Sequence, residues 1–220
     1  MDRLSLRHGY LLLALPILLL IGSVLGCRTA ALTAAYLIKG TNVDAKFEGL
    51  REKRVAVVCR PVSAILFRHD VSGDLAREIG ELLQRNVREI EVVDNAKVRE
   101  FTDETAWDEF SEIGEYVEAD MVVGIDLEDF SIFNQGQSLY QGRASATIWV
   151  YDCTEGGADV YKAELPETLY PPNAAIPAME MPETRFRSRF VRVLADQIGR
   201  HFYPHDGYSD FARDTEGLQR

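Results

Sequence analysis

The chain has 220 residues, 46% hydrophobic and 27% charged, the balance of a globular protein long enough to bury a substantial core. Its net charge of −11 excludes the basic surface that nucleic acid demands and opposes adsorption to anionic headgroups by charge alone. No catalytic signature and no metal-ligand or cofactor motif stands out, so no enzymatic activity is expected.

Arg3 and Arg7 precede an apolar run, Leu11 to Leu25, that ends in small residues, the layout of a secretory signal peptide. The end of that run, Val24-Leu25-Gly26-Cys27, resembles the lipobox of bacterial lipoproteins, with Leu25 where a small residue is commoner. The resemblance implies cleavage before Cys27 and attachment of two or three fatty acyl chains, such as palmitate, to it. Each buried methylene contributes about 0.8 kcal/mol, so one chain holds weakly and two or more hold firmly. Two other readings stay open. One is an uncleaved membrane helix, although Tyr10 to Leu25 is shorter than the ~20 residues a span needs and Pro16 interrupts it. The other is a plain secretory signal with Cys27 incidental. The expected organisation is a leader over 1–26, an anchor and tether over 27–53, one α/β domain over 54–204 and a disordered tail over 205–220.

The tether holds Ala30, Ala31, Leu32, Ala34, Ala35, Tyr36, Leu37 and Ile38, which fits a short helix at the membrane surface or a segment packed on the domain. Val55-Ala56-Val57-Val58-Cys59 reads as a strand buried on both faces. Leu75, Ile79, Leu82, Leu83 and Ile90 mark a helix with Ser72 as its N-cap. Glu91 to Asp94 is a second strand, and Asn95 to Glu100 a short helical turn. Trp107, Phe110, Ile113 and Val117 recur at helical spacing. Met121 to Leu127 is a third strand, Arg143 to Tyr151 its partner across a hairpin tip at Asn134–Gln137, and Ala158 to Leu165 a fifth. Prolines 166, 171, 172, 177 and 182 punctuate an irregular stretch. A last helix from Glu183 to Phe202 carries Phe186, Phe190, Val193, Leu194 and Ile198 on its buried stripe.

This order predicts a mixed α/β fold: a five-stranded sheet ordered two-one-three-four-five, the first three strands parallel, the last two antiparallel additions, with two or three packed helices. Val55-Ala56-Val57-Val58, then Ile113-Gly114 and Ala119-Asp120-Met121-Val122-Val123-Gly124 entering a strand, resemble the N-terminal domain of TolB and the periplasmic domain of CsgG-type lipoproteins over roughly Arg54 to Tyr203. That resemblance implies a domain of the bacterial cell envelope, facing the periplasm or exterior, that binds other proteins or assembles into rings. It transfers no catalytic residue, and neither a propeller nor pore-forming hairpins are expected here.

If Cys27 is acylated, Cys59 and Cys153 remain, and in the expected sheet they sit at opposite edges, beyond the ~7 Å between Cα atoms that a disulfide allows. Ligands of open α/β sheets bind beyond the C-terminal ends of the parallel strands, where Cys59, Arg60, Ser63, His69, Asp94, Asp126, Glu128 and Asp129 fall. A Cys59–His69 pair is the one enzymatic arrangement this edge could offer. His201, His205 and Asp206 have a metal-like spacing that Pro204 interrupts. From Glu100 to Gly142 there are twelve acidic residues and no Lys or Arg, whereas Arg185, Arg189 and Arg192 share one face of the last helix. That asymmetry fits either a surface for partners or further copies, or an intramolecular match between the last helix and the second; the match is the expectation. Phe130, Phe133 and Trp149, on the hairpin, are the aromatic candidates for a protein-binding face, unless the proline-rich segment covers them. The leading function is a lipid-anchored, non-enzymatic binding or assembly module. The alternatives are an accessory lipoprotein that carries an apolar ligand for an envelope transport system, with a dry pocket under the last helix, and the Cys59/His69 enzyme.

Overall fold

Val55, Ala56, Val57 and Val58 lie in β1 (Arg54–Pro61), and all four are buried. A strand apolar on both faces needs a layer above and another below. The computed structural model describes residues 42–62, 71–134 and 138–207. The leader, Cys27, the tether to residue 41 and the tail from 208 lie outside the described residues.

After β1 come α1 (Val71–Asn86), β2 (Glu91–Val92), α2 (Asn95–Glu104), α3 (Phe110–Tyr116), β3 (Met121–Phe133), β4 (Leu139–Asp152), β5 (Ala158–Tyr170), β6 (Ile176–Pro177) and α4 (Glu183–Gly199). The sheet runs β2-β1-β3-β4-β5. β2 and β3 are parallel to β1, and β4 and β5 are antiparallel, as the element order requires. β6 is a sixth strand inside the proline-rich stretch, pairing with Leu139 and Tyr140 of β4 beyond the end of β5. Side-chain alternation along β1 sorts the layers. Val55 and Val57 join α1 and α4 in one core, while Ala56 and Val58 join α2 and α3 in the other. Among the described residues no helix is long and apolar enough to cross a membrane.

Several elements depart from their expected form. The turn at Asn95 is a ten-residue helix, α2, capped by Asp94, whose side chain accepts from the Ala96 amide at 2.9 Å. Only Val98 of α2 is fully buried, so it carries no apolar stripe to read. Trp107 precedes α3 rather than opening it. Ser72 lies within α1 instead of capping it. β5 runs on past Pro166 to Tyr170, because it is an edge strand and its register against β4 shifts between Ala144 and Ala146, opposite Leu165 to Thr168. On α4, Val191 takes the buried place expected of Val193.

Arg54 ties three of these elements together. Its guanidinium donates to the Val117 and Glu118 carbonyls at 2.5 and 2.6 Å, just beyond the C-terminus of α3, and to Glu91 of β2 at 3.0 Å. Its backbone amide donates to the Asp120 carboxylate at 2.8 Å. A cation among helix-end carbonyls is favoured by the dipole. Arg54→Ala is expected to lower stability by about 1.5–3 kcal/mol, the range for hydrogen bonds to a charged group, measured by urea unfolding. Arg54→Lys should recover little, because one ammonium cannot span both carbonyls and Glu91.

Candidate functional site

The parallel register of β1 and β3 sets Arg60 beside Asp126, at the strand ends where open α/β sheets bind ligands. Arg60 Nε and Nη2 both lie 2.9 Å from Asp126 Oδ1. Arg60 Nη1 donates to the Asp108 carbonyl at 2.8 Å, and the guanidinium stands 4.7 Å from the centre of the Phe110 ring and 5.4 Å from that of Trp107. The other Asp126 oxygen accepts from Trp149 Nε1 at 3.1 Å. Lys162, opposite Trp149 in the β4–β5 register, covers its ring at 4.2 Å. A strip of alternating charge and aromatic surface thus crosses the sheet from β1 to β5. Beside it the Thr147 hydroxyl donates to Glu128 at 2.7 Å. Trp149 stacks on Tyr151, whose phenol is pushed above its ordinary range by burial first and then by Asp126, Asp159 and Glu109.

A cavity of about 550 Å³ opens at the same strand ends, lined by Cys59, Ser72, Asn95, Asp103 and Trp107 among others. Cys59 alternates with Arg60 and points to the α1 side. Burial pushes its thiol up to about 12, against the lowering effect of a hydrogen bond with Ser72. It is held as thiol rather than thiolate at neutral pH, the reverse of what a cysteine nucleophile needs. Ser63 and His69, its expected neighbours, lie outside the described residues. Asp94 is occupied as the α2 cap, and Asp129 is exposed. Cys153 follows β4 at the opposite edge, where its amide donates to the Asp120 carbonyl at 2.9 Å. Both thiols are free.

The aromatic candidates do not form one surface. Phe130 stacks on Phe190 of α4 at 5.1 Å and Phe133 packs on Tyr140 at 5.2 Å, both on the α1–α4 side. Trp149 faces the other way. The last helix covers the first pair, with Ile176 and Ala178 of the proline-rich stretch beside them. The space under α4, where an apolar ligand would sit, is filled by rings: Tyr140 stacks on Phe186 at 4.8 Å and Tyr170 on Phe190 at 6.3 Å.

The expected match between the last and second helices is overturned. α4 packs on one side of the sheet and α3 on the other, so Arg185, Arg189 and Arg192 cannot reach the α3 carboxylates. Arg187 pairs instead with Glu183 on its own helix, and Arg200 with Asp196.

Among the described residues no cluster of three His, Cys, Asp or Glu could hold a metal. His201 and His205 follow the end of α4, and His201 has structural partners. Its Nδ1 is 2.7 Å from the Tyr161 hydroxyl and its Nε2 3.5 Å from Lys46 Nζ, while its carbonyl accepts the Lys46 and Phe47 amides at 2.9 Å. An ammonium only donates, so Nε2 accepts and Nδ1–H donates to the Tyr161 oxygen. Burial, then Lys46 and His205, lower this imidazole to about 4.

The chain matches no protein-family model and no curated protein. Among solved structures it is similar to a PelC dodecamer from Paraburkholderia phytofirmans at 12% identity, covering 74% of this chain and 95% of that one, TM-score 0.45. It is also similar to lipoprotein GNA1162 from Neisseria meningitidis, at 11% identity over 66% of this chain and 96% of that one, TM-score 0.41. A minor lipoprotein from Acinetobacter baumannii aligns at 13% identity over 70% and 92% of the two chains, TM-score 0.38.

Two outcomes follow from this geometry. Asp126→Ala strips Arg60 of its carboxylate and Trp149 of its acceptor; it is expected to cost about 1–3 kcal/mol and to shift tryptophan emission to the red. Asp126→Asn, which can still accept from Trp149, should shift it less. His201 binds its proton more readily unfolded than folded. Its contribution is therefore complete above the unfolded value near 6.5 and is lost as pH falls toward about 4. Urea titrations across that window should show a loss on the order of 3 kcal/mol that His201→Gln flattens.

Proposed function

We propose that this is a lipid-anchored protein of the bacterial cell envelope, held to its membrane through Cys27, that acts as a non-enzymatic binding or assembly module. The resemblance of its strand order to TolB-type and CsgG-type domains belongs to the same reading. The observation that carries it is the mutual pairing, among the described residues, of the charged groups at the strand ends. Arg60, Asp126, Trp149 and the Asp108 carbonyl are spent on one another, and the nearby Cys59 thiol is held protonated. Chemistry at that edge would need a group left free to act. Exposed charge also lies on the outer faces of the helices, where it can meet another molecule.

The anchor is tested by expressing the full chain in a Gram-negative host. The expected product fractionates with membrane, and mass spectrometry of its amino-terminal peptide finds an acylated Cys27. Cys27→Ser is expected to move the protein out of the membrane fraction. A wild-type chain that is recovered free of membrane with an unmodified Cys27 would overturn the reading.

A further inference from the structure

We propose that copies of this chain dock head to tail, the arginine row of α4 on one copy meeting the acidic α2–α3 face of the next. This deepens the assembly reading above, on which it rests, by naming the partner as a second copy. Arg185, Arg189 and Arg192 stand at helical spacing on the solvent side of α4, with Arg185 and Arg192 exposed. The contact found for this row is local: Arg192 Nε to the Ser188 carbonyl at 3.4 Å. On the far side of the sheet, Glu100, Asp103, Glu104, Asp108, Glu109, Glu112, Glu115 and Glu118 are all exposed, and they outnumber the two bases of these helices, Lys97 and Arg99 in the first half of α2.

The acidic face has a shape suited to guanidinium. Phe101 of α2 and Tyr116 of α3 pack at 4.6 Å, which holds the two acid-bearing helices side by side. Tyr116 is 54% exposed, so an aromatic surface lies open among carboxylates. Arginine uses both at once, stacking its plane on a ring while its fork meets an acid; lysine does this poorly.

Charge decides the orientation. Two copies at −11 each repel in most approaches. The approach that brings α4 to α2–α3 reverses the local sign, and complementary charge of this kind sets orientation and encounter rate. The two patches lie on opposite sides of one sheet. A two-fold pair cannot satisfy both together, so the contact is heterologous and propagates to a ring or a filament.

The test is sedimentation of the full chain in detergent at low and high salt. The wild type is expected to associate at low salt and to dissociate at high salt. Arg185→Glu/Arg189→Glu/Arg192→Glu and Glu100→Lys/Glu104→Lys/Glu115→Lys should each weaken association about tenfold or more, and an equimolar mixture of the two should restore it. The Arg→Gln set at the same three positions, milder toward folding, should fall between wild type and reversal. Reversed variants that are folded by circular dichroism and associate like the wild type would sink the proposal, as would a mixture that stays apart. So would an arginine row whose reversal weakens binding to anionic vesicles and leaves association untouched. A chain monomeric at every salt but still membrane-bound overturns this contact and leaves the anchor standing; one that assembles yet floats free of membrane does the opposite.

Discussion

The in-register pairing of β1 with β3 is the constraint from which the rest of the domain follows. It runs unbroken from Val55↔Met121 to Pro61↔Leu127. Because β1 is apolar on both faces, parity along it assigns every packed helix to a layer. Its two ends are pinned by charge. Arg54 and Asp120 exchange backbone and side-chain hydrogen bonds at the start, and Arg60 and Asp126 pair at the finish. Sliding β1 by one residue would turn Ala56 and Val58 into the wrong core and part both charged pairs at once.

Each layer is then seated by an aromatic ring over a glycine. A Cβ at Gly124 of β3 would stand 2.7 Å from the Phe110 ring of α3, and one at Gly142 of β4 would stand 2.6 Å from the Phe190 ring of α4. The sheet is therefore bare where each helix presses closest. This matters most for α3, whose seven residues are too few to hold a helix unaided. Its capping box through Glu112, the Arg54 contacts just past its C-terminus and the Phe110 seat replace the cooperativity that length would supply. The same features fix the acidic face it carries.

The sheet was legible in the sequence because its signals are local and dense. The run at Val55, the run at Met121 and the alternation from Ala144 to Tyr151 each announce a strand, and right-handed crossovers leave few orders for them. The separation of Cys59 from Cys153 followed from that order alone. What stayed hidden depends on the third dimension. α2 has a single fully buried residue and therefore no periodicity to detect. Pro166 reads as a strand end unless one knows that β5 is an edge with a bulge. Arg60 and Asp126 could be placed on one sheet edge, but their pairing, and the capture of Asp126 by Trp149, required the register across three strands. Phe130 and Trp149 lie on one hairpin, where strict alternation would give them one face; the register shift between Leu127 and Asp129 sends them to opposite faces, and a count of aromatics along the chain cannot register that.

The same parity explains why the acidic and basic segments do not neutralise each other within the domain. A sheet with a helical layer on each side holds the helix axes roughly 20 Å apart, two layer spacings, and the outer helical faces farther still. At that separation a pair of unit charges gains only about 0.2 kcal/mol in water before screening, and the distance exceeds the ~8 Å Debye length at physiological salt. An internal match would be worth almost nothing, so the fold neither requires the asymmetry nor relieves it. Neighbouring charges can at least pair along their own helix, as Arg187 and Glu183 do. The α4 row and the α2–α3 carboxylates instead keep fields directed away from the sheet. What makes the distance too large for stability makes the charge available for association, because only a separate molecule can bring its charges within a few ångströms of either face.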